Sequence, residues 1–191
     1  MGQRELYAKG GITKWYWDFR DRAVLQYTAK ADSVLDIGCG EGITLERVVR
    51  QNPNRRIIGI DPEPGNIKNC GRLPALVGSV YRLPETNWDC CLLLDVIEHL
   101  SNPLSALQRI HRALAKNGIL VLLFPNYVMF FLARLACLKF KEAFAESGHV
   151  ESWNLRKMEK LLGGAGFSVD MTQRLPIGVL PLHYLIVARK K

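Results

Sequence analysis

The chain has no Cys-x-x-Cys pair, and its five cysteines (39, 70, 90, 91 and 137) are an odd number without zinc-ligand spacing. That pattern speaks against a disulfide framework or a zinc set and fits a reducing compartment. No apolar run is long enough to span a bilayer. Residues 1–10 are polar and lack the apolar stretch of a secretory signal, so a cytoplasmic protein is expected. Internal repeats and low-complexity linkers are absent as well. Basic residues outnumber acidic ones, 26 to 18, giving a net charge of +8. They are scattered, however, as in Arg20 and Arg22, Arg47 and Arg50, Arg109 and Arg112. No run is dense enough to follow a nucleic-acid backbone, so nucleic acid is not the expected partner. Solvated helix faces account for most of this charge, and peripheral contact with an anionic membrane is the lesser reading.

What is present points to one α/β unit. A chain of 191 residues that is 48% hydrophobic buries one good core, which sets the expectation of a single domain over residues 1–191. Strand-like and helix-like segments alternate from Ser33 onward, the pattern of an α/β sheet. Cys90-Cys91-Leu92-Leu93-Leu94 reads as a central strand covered on both faces. Leu45, Val48 and Val49 recur at helical spacing, so the helix starting near Glu41 lies against the sheet. Asn102-Pro103 caps a further helix, stopped at Gly118, and Asn154 caps another. Residues 1–30 are expected to form an N-terminal helical cap, with Ala23, Val24 and Tyr27 on its packing face. Its aromatics, Trp15 to Phe19, are read mainly as core, with a pocket roof as the alternative.

The most informative stretch is Val34-Leu35-Asp36-Ile37-Gly38-Cys39-Gly40-Glu41-Gly42. A buried strand runs into a glycine turn and then a helix, so a ligand can touch bare backbone there. Asp36 puts a carboxylate at the mouth of that turn, which suits a cationic ligand and not a diphosphate. The dinucleotide fingerprint needs a third glycine at position 43, where the chain has Ile43, so a nicotinamide oxidoreductase is disfavoured. Asp61 ends the second strand at the same edge, where a carboxylate takes the hydroxyls of a ribose.

These residues resemble the class I S-adenosylmethionine-dependent methyltransferases, within them the ubiquinone-type and "type 11" group. Leu94-Asp95-Val96-Ile97-Glu98-His99-Leu100 is similar to that family's segment after the central strand. Leu114-Ala115-Lys116-Asn117-Gly118-Ile119-Leu120 is similar to its helix-to-strand turn. The resemblance implies a Rossmann-like parallel seven-stranded sheet with the last strand antiparallel, helices on both faces, and a helical insert after the fifth strand. It implies S-adenosyl-L-methionine as cofactor, held by Asp36, Gly38, Cys39 and Gly40 at its methionyl end and by Asp61 at its ribose. Pro62 and Val80 would pack on the adenine, and Asp95 would stand near the sulfonium. Ser79 occupies a position where the family usually has Asp, so its adenine contact carries no charge.

Methyl transfer to a hydroxyl or a protonated amine needs a base, and His99, just past the central strand, is the candidate, the alternative being a helix-end histidine that only hydrogen-bonds backbone. His149 also matches a family histidine, which would either approach the acceptor from the insert or only anchor that insert. His111 and His183 read as structural. The insert, residues 127–148, is expected to be an amphipathic helix or helical pair with an apolar underside over the acceptor pocket. Its apolar character points to a small or lipid-like acceptor, methylated at oxygen. The alternative is a non-catalytic S-adenosylmethionine-binding partner or regulatory protein. The acceptor and the oligomeric state are not written in the sequence.

Overall fold

In the computed structural model, the described residues are 2–126, 129, 153–176 and 181–191. The expected lid over residues 127–148 lies outside them except for Met129, and so does His149. Two helices come first, α1 (Gln3–Ala8) and α2 (Gly11–Thr28). There follow β1 (Ser33–Ile37), α3 (Ile43–Gln51), β2 (Arg56–Asp61), α4 (Pro64–Asn69), β3 (Ala75–Val77) and β4 (Trp88–Leu94). The remainder comprises α5 (Pro103–Ala113), β5 (Leu114–Pro125), α6 (Leu155–Gly164), β6 (Phe167–Leu175) and β7 (His183–Lys190). The strands form one sheet in the order β3-β2-β1-β4-β5-β7-β6. Pairs from β3 through β5 are parallel, while β7 runs antiparallel to both β5 and β6. The expected sheet is therefore present, with the last strand slotted in antiparallel beside the edge.

Strand alternation sorts the core onto two faces. Leu35 and Ile37 of β1, Cys91 and Leu93 of β4, and Leu120 and Leu122 of β5 pack with Leu107 and Ile110 of α5 and Met158 and Leu162 of α6. Their strand neighbours Val34, Cys90, Leu92, Val121 and Leu123 pack on the other face with Val24 of α2 and Leu45 and Val48 of α3. Leu107 is fully buried, so Leu107→Ala costs about 2–5 kcal/mol through lost transfer energy and the cavity left behind. Asn102 caps α5 by accepting from Ser105 N at 3.0 Å, and Asn154 caps α6 by accepting from Lys157 N at 2.9 Å.

Two local expectations are revised. The helix after the glycine turn begins at Ile43, because Gly42 adopts a left-handed conformation and leaves Glu41 in the turn. Gly118 does not stop α5, which ends at Ala113; Leu114 already pairs with Trp88 in the sheet. Residues 115–118 bulge out before pairing resumes at Ile119, and a Cβ on Gly118 would stand 2.8 Å from the Trp88 carbonyl oxygen. Within residues 1–30, expected to form an N-terminal helical cap, the chain forms the two helices α1 and α2.

The chain crosses from β3 back over β1 to form β4, so the strand order reverses between β1 and β4. In such sheets a crevice opens beyond the C-terminal ends of the two strands at that reversal. Both the glycine turn and Asp95 lie there.

Candidate active site

A cavity of about 780 Å³ occupies this crevice, within the usual range for a cofactor or small-ligand site. The glycine turn, with Asp36, Gly38, Cys39 and Gly40, forms one wall, and Asp61, Pro62 and Asn66 continue it. Asp95, Val96 and His99 come from the end of β4, while Trp15, Tyr16, Trp17 and Arg20 come from α2. His183 and Leu182 complete it from the start of β7.

The turn has to be glycine where it is. Gly38 and Gly40 have φ of 73° and 54°, and a Cβ on either would come within 2.4 Å of Val96 Cγ2 or Gln3 Oε1. Asp61 pins the turn from below. Its Oδ2 accepts from Gly40 N at 2.9 Å, and its Oδ1 accepts from Glu63 N at 2.9 Å and Asn66 Nδ2 at 3.0 Å. From above, α1 lies across the turn, with Arg4 Nε donating to the Glu41 carbonyl at 2.7 Å.

Asp36 is 2% exposed and faces this cavity. Burial pushes its carboxyl up to about 7, Asp21 and Asp61 push the same way, and Arg20 works against them. A cation delivered into the cavity would relieve that penalty. Cys39 is inert by the same logic, because burial and Asp36 hold its thiol well above the usual range.

A chain of polar side chains runs along the opposite wall. Arg20 Nη1 donates to Asp95 Oδ2 at 2.8 Å, and Arg20 Nη2 donates to Asp21 Oδ1 at 2.9 Å. His183 Nε2 stands 3.1 Å from Asp95 Oδ1, and the Tyr16 hydroxyl is hydrogen-bonded to His183 Nδ1. Burial opposes ionisation of Asp95, yet His183 and Arg20 outweigh it and hold the carboxyl below its ordinary value. Asp95 itself has a φ of 55°, an unusual conformation for a residue with a side chain, and Asp tolerates it better than most. Glu98, in the short 3-10 turn Ile97–His99, is buried outside the cavity lining; burial and then Asp95 push it up to about 8.

The crevice thus unites Asp36, Gly38, Cys39, Gly40, Asp61, Pro62, Asp95 and His99, all expected from the sequence. Ser79 and Val80 do not line it. Ser79 Oγ accepts from Tyr81 N at 3.3 Å to cap a short 3-10 turn, and Val80 is buried in the core. His183 is read differently from its sequence expectation: it lines the site. Trp15, Tyr16 and Trp17 likewise form the pocket roof that was the minor expectation, and Trp15 is 54% exposed. Nothing local in the sequence marks Arg20 or His183 for the site, because their shared partner Asp95 lies far along the chain from both.

A family model described as a methyltransferase domain matches residues 11–171, and the chain belongs to that family. The cofactor implied for this class is S-adenosyl-L-methionine. The chain is similar to a probable S-adenosylmethionine-dependent methyltransferase of Mycolicibacterium smegmatis, 28% identical over 166 residues, covering 82% of this chain and 61% of that protein. It is also similar to a tRNA U34 carboxymethyltransferase of Haemophilus ducreyi, 30% identical over 125 residues, covering 58% of this chain and 38% of that protein. The chain therefore spans well under the full length of either relative. A solved S-adenosylmethionine-dependent methyltransferase from Archaeoglobus fulgidus shares the fold, with a TM-score of 0.70 at 18% identity, covering 90% of this chain and 91% of that one.

Proposed function

We propose that the protein transfers a methyl group from S-adenosyl-L-methionine to an oxygen of a small or lipid-like acceptor. The observation that carries the reading is the buried Asp36 carboxyl, raised to about 7, at a bare glycine turn in a cavity of cofactor size. That cradle fits the cofactor: a cationic methionyl end offsets the burial of Asp36, and a side chain on Gly38 or Gly40 would fill the approach. When bound, S-adenosylmethionine supplies a methyl group already activated by its sulfonium. The chain's own part is then to position, to exclude water and to take a proton. Asp36 faces the ammonium, Asp61 takes the ribose hydroxyls through its remaining lone pairs, and Pro62 packs against the adenine.

The aromatic wall of Trp15, Tyr16 and Trp17 favours a flat or apolar acceptor over a polyanion. His99, exposed on the rim, meets that acceptor as it enters. Among the described residues no helix is long and apolar enough to cross a membrane, so a lipid-like acceptor would be met peripherally. Formation of S-adenosylhomocysteine against a panel of small hydroxylated aromatics, lipid-like quinols and tRNA transcripts tests the reading. Turnover with the small or lipid-like compounds supports it. Turnover confined to tRNA would replace the acceptor class, and saturable cofactor binding without product from any acceptor would favour a regulatory role.

A further inference from the structure

The wall opposite the glycine turn carries a group of side chains of which only Asp95 is assigned to the cofactor. Tyr16 (α2), His183 (β7) and Asp95 (the end of β4) are brought together from three elements separated by up to 167 residues. The Tyr16 and His183 rings also stack, with centroids 5.5 Å apart and planes 28° from parallel. His183 is 6% exposed, and packing of β7 is already supplied by Leu185, Ile186, Val187 and Ala188. His183 Nε2 stands 3.1 Å from Asp95 Oδ1 and Nδ1 shares a hydrogen bond with the Tyr16 hydroxyl, so the tautomer protonated at Nε2 puts its N–H beside the carboxylate and leaves Nδ1 to accept. Arg20, bonded to the other Asp95 oxygen, holds that carboxylate in place.

We propose that Tyr16, His183 and Asp95 form the proton relay for the acceptor, with Tyr16 as the residue that touches it and His183, Asp95 and Arg20 positioning and polarising the chain. This rests on the reading of an oxygen acceptor given above. As the acceptor oxygen forms its bond to the methyl carbon, the methyl–sulfur pair passes to sulfur, leaving neutral S-adenosylhomocysteine. The acceptor's proton moves to Tyr16 Oη while the Tyr16 proton moves to His183 Nδ1. The resulting imidazolium is stabilised by Asp95 and afterwards releases its proton to solvent. Tyr16 never has to persist as a phenolate, which matters because burial, and then Asp95, hold its hydroxyl well above the usual range. The logic is that of a nucleophile–His–Asp arrangement in which the tyrosine relays and does not attack. His99 is left to contact the acceptor at the rim.

Two measurements on the full chain test this. In protein labelled with 15N-histidine and saturated with S-adenosylhomocysteine, the His183 signals should show a protonated Nε2 and an accepting Nδ1. Tyr16→Phe should shift the Nδ1 signal while leaving Nε2 nearly unmoved; a proton on Nδ1 in both proteins would overturn the relay. The second measurement follows S-adenosylhomocysteine formation from a graded series of phenols, ending with 4-nitrophenol, which is ionised in mildly alkaline buffer. His183→Asn should lower turnover of the least acidic phenol by about a hundredfold, the usual worth of a positioned base, with KM for the cofactor unchanged. The deficit should shrink toward 4-nitrophenol. A loss equal across the series would mean that His183 only holds the wall, and the relay would fall. If the wild type methylates no phenol while His183 shows the expected tautomer, it is the acceptor reading that fails and the relay goes with it; a proton on Nδ1 in a protein that does methylate phenols overturns the relay alone.

Discussion

Asp36 makes the sharpest prediction, because its proton should leave when the cofactor arrives. In the free protein burial holds the carboxyl at about 7. At pH 6 a group with that affinity is about nine-tenths protonated, and at pH 8 about one-tenth. A ligand that carries an ammonium into the cavity needs the ionised form. Binding of S-adenosylhomocysteine at pH 6 should therefore release about 0.9 proton per molecule, falling to about 0.1 at pH 8. Titration calorimetry in two buffers of different ionisation enthalpy reads this number directly. The product is the better ligand for the purpose, since its amino group stays protonated at pH 6 and it undergoes no reaction. Asp36→Asn should abolish the release at pH 6 and weaken binding at pH 8 by about ten- to a hundredfold, the worth of one charge-assisted contact. Glu98 is also raised, to about 8, but it lies outside the cavity lining, so Asp36→Asn separates the two. Release of the same size from wild type and Asp36→Asn would refute the assignment of the methionyl end.

Other outcomes follow from the same geometry. Gly38→Ala forces a Cβ to within 2.4 Å of Val96 at a φ of 73°, so cofactor binding should fall by at least about tenfold, read by calorimetry, with the sheet intact by circular dichroism. Asp36 and Glu98 both bind protons more tightly when folded, so each contributes stability below about pH 4 that is lost as pH rises through about 7 and about 8. The Tm of the unliganded protein should therefore fall between pH 5 and pH 8, and Glu98→Gln should flatten the upper part of that decline. Arg55, 9% exposed, donates to the carbonyls of Thr28, Ala31 and Val48, tying α2 to α3; Arg55→Met should cost about 2–4 kcal/mol in a denaturant titration by stranding them. His99→Ala should raise KM for the acceptor or lower turnover while leaving cofactor affinity unchanged, and normal kinetics would remove His99 from the site.

The strands and the glycine-turn edge of the crevice were legible because both depend on local rules. Apolar runs such as Cys90 to Leu94 admit only a covered strand, and a glycine turn after a strand admits only a close backbone approach. Asp36 and Asp61 could be placed because parallel neighbours end at one edge. The opposite wall of the crevice was not legible, since it is built from sequence-distant pieces. His183 reaches Asp95 only because β7 inserts between β5 and β6, and periodicity carries no information about that pairing. Trp15 to Trp17 sit on a helix with no clear apolar stripe, so the sequence could not tell a packed face from a roof. Ser79 and Val80 were placed by family position alone, and there the chain turns into a short 3-10 segment whose side chains cap and pack instead of facing the cavity.

The central claim is that the crevice between β1 and β4 holds an S-adenosyl nucleoside. A crystal structure of the protein grown with S-adenosylhomocysteine tests it most directly. The account predicts the ribose hydroxyls on Asp61, the amino group toward Asp36 and the sulfur near Asp95. Density for the nucleoside elsewhere, or a crevice that stays empty at saturating ligand, would contradict it.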